Sequence, residues 1–239
     1  MRLLREYFWI DGERSDDHGI YLQAPLTFTA ATPNITTVSV PGRNGDLHIF
    51  DGSFSNVEGT AKCFALRKGE AKEAVSAISR WVLSTTGYRR LVTSDDPEIF
   101  REAVVTAGPE TEIRMRTLAP FSIKFNCKPQ RFFLSGENTE TVTASGAKLW
   151  NPGLTSQPKL TVYGSGAGTV TIGDTTVKIS DIDGYVELDS ETQNAYKGGE
   201  NKNGTITALE FPTFAPGENE ITFTGGVTKI DIIPRWWTL

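Results

Sequence analysis

The residues able to do chemistry are few, and each has a structural reading beside it. His18 and His48 both sit next to turns, with no cysteine or second histidine at ligand spacing. A zinc site with three or four His and Cys ligands cannot be built from that supply unless carboxylates dominate it, so surface histidines are expected. Cys63 and Cys127 match no metal-binding spacing. Each lies in a strand-like run and reads as a small buried hydrophobe. A single disulfide stays open, because the two runs could pair within one sheet. Gly164-Ser165-Gly166-Ala167-Gly168 follows a strand, but a dinucleotide fingerprint needs a helix next. Thr169-Val170-Thr171-Ile172 is instead a strand, so the stretch predicts a flexible hairpin loop. Asp181-Ile182-Asp183-Gly184 looks like the start of a calcium loop without the later oxygen ligands; it predicts a tight turn opening a strand at 185–188. Asp95 and Asp96, just before Pro97, read as turn residues. A serine nucleophile would want a Gly-x-Ser-x-Gly elbow, and the chain has none. No catalytic residue, cofactor or metal is expected, and the protein is not read as an enzyme. The ending Ile232-Ile233-Pro234-Arg235-Trp236-Trp237-Thr238-Leu239 is different in kind. Trp and Arg concentrate at interface centres, so Arg235, Trp236 and Trp237 either cap a core or form an exposed contact.

These residues must be carried by a chain of 239 residues, 38% apolar and 22% charged, with net charge −5. That supports a packed core. The basic residues are scattered rather than gathered in a stripe, so nucleic-acid binding is not expected. The first residues hold no apolar signal core, and no stretch approaches the ~18 residues that span a bilayer. Synthesis in the cytoplasm without a cleaved signal, and no membrane association, are the expectations.

Frequent Gly, Pro and Thr point to short strands and turns. Tyr7-Phe8-Trp9-Ile10 is an aromatic strand closed by Asp11-Gly12, a hairpin dipeptide. Val38-Ser39-Val40 leads into the loop Pro41-Gly42-Arg43-Asn44-Gly45-Asp46. A strand is predicted at 58–66. Ala71, Ala74, Val75, Ile78 and Val82 recur at helical spacing and predict one helix at about 70–84. Glu70 and Glu73 fall in its first turn, Trp81 lies at its margin, and Gly87 is placed to end it. Strands are predicted at 89–93 and 98–106, with a turn at Gly108-Pro109 and a further strand or bent pair in 111–127 that Pro129 ends. Residues 129–150 read as a connection. From about 158 the runs 158–163, 169–172, 175–180, 184–188, 204–210, 219–224 and 227–233 are all strand-like. The fold class is mainly β: an N-terminal β-rich domain with one helix, residues 1–130, then a C-terminal β-sandwich, residues 131–239.

The ordered series of segments resembles the distal tail protein (Dit) family of siphophages over nearly the whole chain. The matching stretches are Val40 to Leu47, Arg80-Trp81-Val82-Leu83, Arg90 to Pro97 and Phe121 to Pro129. They continue with Asn151-Pro152-Gly153 followed by Pro158, Gly164-Ser165-Gly166, Pro216-Gly217-Glu218-Asn219 and Pro234-Arg235-Trp236. Asp11-Gly12 departs from the Asn-Gly turn that members often carry there. The resemblance implies a structural protein of the virion tail tip, assembled in the host cytoplasm. It implies a hexameric ring of N-terminal domains and an outward galectin-like C-terminal sandwich. One face would meet the tail tube protein and the other the tail-associated hub protein, and in some relatives the outer domain anchors receptor-binding proteins. Ring contacts are head-to-tail. Tyr7, Phe8 and Trp9, with Pro41, Gly42, Arg43, Asn44, Gly45 and Asp46, are the interface candidates under it, although the loop reads equally well as a solvated hairpin tip.

Two other functions fit parts of the sequence. A carbohydrate-binding module would need Tyr163, Tyr185, Tyr196 or Trp150 to line a groove. A cell-wall hydrolase would need a carboxylate pair at a defined separation, which spacing alone does not place.

Overall fold

A computed structural model describes residues 6–66, 71–111 and 118–239. They form two compact units: one ends at Arg131 and also counts Leu239, and the other spans Phe132–Thr238. Both are β structures, and the described residues hold one α-helix.

The first unit opens with the predicted hairpin, β1 (Phe8–Ile10) and β2 (Glu13–Arg14). Asp11 and Gly12 both have positive φ, +51° and +86°. That is the two-residue turn whose twist matches paired strands. Next come β3 (Ile20–Leu22), β4 (Thr27–Phe28), β5 (Pro33–Val38), β6 (Leu47–Phe54) and β7 (Val57–Leu66). The helix α1 (Ala71–Val82) follows, then β8 (Arg89–Thr93), β9 (Asp96–Thr111) and β10 (Leu118–Phe133). Glu70 lies outside the described residues, as do the side chains of Ala71 and Ala74. The main sheet runs β2-β1-β8-β9-β10-β7-β3, with β4 also on β7. Ile78 and Val82 bury one face of α1 in a core with Phe8, Ile10, Ile123 and Phe125.

Two expectations fail in this unit. Gly108-Pro109 lies inside β9 rather than at a turn, and β10 runs through Pro129. Pairing of β10 with β7 ends at Cys127↔Val57, two residues before Pro129, so the proline takes no bond away from β7. A missing N–H costs little there. Cys63 and Cys127 are buried free thiols. They do lie on the paired strands β7 and β10, but Cys63 faces Phe121, six residues from Cys127. That is about 20 Å along a strand, far beyond disulfide reach. Burial pushes their thiols up to about 12 and about 11.

The second unit holds β11 (Glu140–Val142), β12 (Ala147–Asn151), β13 (Lys159–Ile172), β14 (Thr175–Asp189) and β15 (Asn194–Lys197). It is completed by β16 (Glu200–Asn201), β17 (Ile206–Thr207), β18 (Gly217–Ile233) and β19 (Trp237–Thr238). The stretch 129–150, expected as a connection, thus carries the end of β10 and two further strands. The sheet order is β11-β18-β13-β14-β15-β16, with β12 on β18 and β17 on β14.

The expected short strands are fused. The pairs 158–163 with 169–172, 175–180 with 184–188, and 219–224 with 227–233 are halves of β13, β14 and β18. The Gly164–Gly168 stretch is therefore not a hairpin loop, and Asp181–Gly184 is not a turn. Glycines meet across neighbouring strands in this stretch: Gly164 opposes Gly184 on one side, and four residues on, Gly168 opposes Gly225 on the other. A β-carbon at Gly226 would collide with the Ser165 carbonyl oxygen, and one at Gly164 with the Gly226 carbonyl oxygen. Close approach and a shifted register here bend the strands. Side chains from both halves, such as Leu160 and Ile172, then share one core.

Candidate functional site

Among the described residues of the first unit, the most exposed apolar surface is built by β5 and β6. These two strands form a sheet of their own, joined to no other strand among the described residues. The register pairs Ile35 with Phe50 and Thr37 with His48, then Thr36 with Ile49 and Val38 with Leu47. Opposed residues share a face and neighbours alternate. Ile35 and Phe50 therefore occupy one face, and Ile49, Val38 and Leu47 the other. Ile35, Ile49 and Phe50 each remain half exposed, and Val38, Val40 and Leu47 are nearly so. A two-stranded ribbon is marginal in water by itself. Some local bonds support this one: Thr37 Oγ1 lies 3.1 Å from His48 Nδ1, and Asn34 Nδ2 donates to Ser53 Oγ at 2.8 Å. The loop Pro41–Asp46 is the tip of this arm, exposed throughout, with Gly42 and Gly45 at positive φ.

The other interface candidates of this unit lie on β1 and just before it. Phe8 is wholly buried and meets Phe125 edge-on at 5.8 Å, so its side chain is a core group. Tyr7 and Trp9 are half-buried on the opposite face, edge to face at 4.7 Å, with Arg14 stacked 3.9 Å over Tyr7. Among the described residues, no hydrogen bond or ring contact links Tyr7–Trp9 to Pro41–Asp46. The sequence placed the loop but missed the apolar arm beneath it. The available signal was apolar residues at both parities of two short paired runs, which a one-sided strand does not show.

The ending of the chain is organised around Arg235. Its backbone takes φ +55°, and its guanidinium grips Asp189 with two bonds of 2.7 and 3.0 Å. Burial pushes the Asp189 carboxyl up, but Arg235 and the N–H groups of Thr192 and Glu191 outweigh it. The group ends below its usual value. Trp236 is buried and packs edge-on to Phe214 at 5.1 Å. Trp237 stays half exposed and donates its indole N–H to the Thr155 carbonyl at 2.9 Å. Of the two readings of this ending, Trp236 follows core capping.

The remaining chemical candidates are dispersed. His18 stacks 4.0 Å over Trp81, and both approach the Glu13 carboxylate. Asp96 pairs with Arg131 beside a cleft of about 80 Å³ that Phe28, Thr93, Asp95 and Arg101 also line. Burial and the nearby Arg131 lower the Arg101 guanidinium, which lies 4.5 Å over the Phe28 ring. Asp183 binds Lys197 at 2.9 Å. No group of three or more His, Cys, Asp or Glu able to hold a metal ion occurs among the described residues.

Two comparisons found nothing: no family model matches the chain, and no curated protein does. Among solved structures, the chain is similar to the crystal structure of the SPP1 Dit (gp 19.1) protein. That structure is described as a paradigm of the hub adsorption apparatus in phages infecting Gram-positive hosts. The TM-score is 0.75 at 13% identity, over 98% of this chain and 99% of that one. A likeness at that identity establishes the fold.

Proposed function

We propose that this protein is a structural subunit of the tail tip of a long-tailed phage, a distal tail protein whose copies close into a ring. The ring joins the tail tube to the host-attachment apparatus. The observation that carries this reading is the likeness to a Dit protein from end to end of both chains. Both units are matched together, whereas a borrowed sandwich would match only one. The first unit forms the ring and the second, a galectin-like sandwich, lies outside it. Tube protein and hub protein are the axial partners, and the outer unit is where receptor-binding proteins attach.

Self-assembly has its own support in the β5–β6 arm. Apolar side chains on both faces cannot be covered by laying the ribbon on one surface of its own unit. A neighbouring copy that clasps the ribbon from both sides covers them. Completing the burial of each half-exposed side chain is worth about 1 kcal/mol, and the head-to-tail geometry of a ring repeats the gain at every junction. Native mass spectrometry and negative-stain electron microscopy of the purified protein test the reading. Annular particles of uniform copy number are expected. A strict monomer at micromolar concentration, together with absence from purified virions, refutes it.

A further inference from the structure

Trp150 is 68% exposed, more than any other aromatic side chain among the described residues. It lies on β12, which pairs with β18 so that Trp150 opposes Glu218 and Lys148 opposes Glu220. Opposed residues share a face, so all four side chains stand together on the outer surface of the second unit. Behind them Leu149 packs inward against the core and Asn219 is buried. A β-carbon at Gly217 would touch the six-membered ring of Trp150 at 3.9 Å, and Gly217 has φ +89°. The rim of the indole thus lies close to bare backbone at a position that only glycine fills readily, and most of its surface is open to solvent. Lys148 Nζ holds Glu218 Oε1 at 2.7 Å, which orients the carboxylate and leaves its second oxygen as an acceptor.

We propose that Trp150 is the stacking platform of a saccharide-binding site, with Glu218 and Glu220 accepting hydrogen bonds from the hydroxyls of a neutral pyranose. A pyranose offers an apolar C–H face and a rim of hydroxyl donors. An open aromatic face beside fixed acceptors is the complement of that shape. The three tyrosines of this unit do not offer the same surface. Lys229 lies 4.2 Å over Tyr163, Lys197 5.5 Å over Tyr185 and Lys159 5.4 Å over Tyr196, so cations already occupy their faces. A protein partner is the poorer fit, because interface cores are depleted of Lys and Glu and Trp150 is ringed by both. Two carboxylates against one ammonium disfavour an anionic polymer. The site adds glycan contact to the ring role but does not depend on it.

The test is calorimetry of the full chain against neutral oligosaccharides of glucose, galactose, N-acetylglucosamine and rhamnose, with polyglycerol phosphate as the anionic probe. At least one neutral oligosaccharide binds with a dissociation constant near ~1 mM. Trp150→Ala weakens it by about tenfold or more, while Trp150→Phe keeps most of the affinity. Glu218→Gln weakens it with the melting temperature unchanged. Absence of heat with every neutral sugar at about 10 mM overturns the proposal. So does a Trp150→Ala protein that binds as well as the parent, or preference for polyglycerol phosphate. Ring formation by Trp150→Ala, seen by electron microscopy, is unaffected in either case, so the two readings fail separately.

Discussion

At the scale of single residues, the chain spends its polar and reactive groups on structure. Asn151 donates to the carbonyls of Leu154 and Phe214, and its side-chain oxygen accepts from the Gly153 N–H. Asn219 makes three comparable bonds to Ala215 and Gly217. These are the asparagines of the Asn-Pro-Gly and Pro-Gly-Glu-Asn segments on which the family resemblance rests, and both serve turns rather than ligands. Arg235 and Asp189 form the least exposed ion pair among the described residues. Arg235→Ala leaves a buried carboxylate without its counter-charge and should cost about 2–3 kcal/mol, less than a fully buried pair because the arginine stays 27% exposed. Since Asp189 is depressed in the folded state, its contribution is complete above the unfolded carboxylate value of about 4 and is lost as pH falls through the folded one. Urea midpoints of parent and variant should therefore differ clearly at neutral pH and converge as the medium is acidified. The cysteines give a second outcome. With thiols raised to about 12 and about 11, neither Cys63 nor Cys127 should react with an aromatic disulfide reagent in the native protein at mildly alkaline pH. Both should react in denaturant.

At the scale of elements, glycine does two different jobs. In the Asp11-Gly12 turn it supplies positive φ, and the dipeptide alone announces a hairpin. Along β13, β14 and β18 it permits backbone contact between neighbouring strands. Gly226→Ala should destabilise the protein by about 3 kcal/mol or more, because the new methyl meets the Ser165 backbone rather than a movable side chain. Gly199, which has open space around it, is the control: its alanine variant should melt within about 2 °C of the parent. The arm is the other element with a consequence. Ile35→Lys with Ile49→Lys places one charge on each face of the ribbon. Size-exclusion chromatography should return a monomer, with a melting temperature close to that of the parent's dissociated subunit. Retained rings would show that the arm is not the clasp.

For the whole molecule, the proposed assembly rests on apolar contacts more than on ion pairs. The exposed pairs on the surface, such as Lys148 with Glu218 and Lys202 with Glu200, contribute little each. Rings should therefore persist at about 1 M salt, where the screening length falls to ~3 Å. Dissociation by salt alone, read by light scattering, would move the ring contacts to charged groups outside the arm.

Much of the local structure followed from the sequence itself, because local rules decide it. The Asp11-Gly12 hairpin, the helix ending near Val82, the strand Arg89–Thr93, and alternating burial along 158–163 and 184–188 all depend on residues a few positions apart. Tertiary structure decided what depends on neighbours distant in the chain. Gly164–Gly168 and Asp181–Gly184 look like turns until three strands are aligned and their glycines are seen to pair across them. Pro129 looks like a strand end until β7 is seen to stop first. Arg235 and Asp189 lie 46 residues apart, and no spacing rule joins them. The apolar residues of the arm and the open face of Trp150 are recognisable only by what fails to cover them, a property of the folded surface and not of any segment.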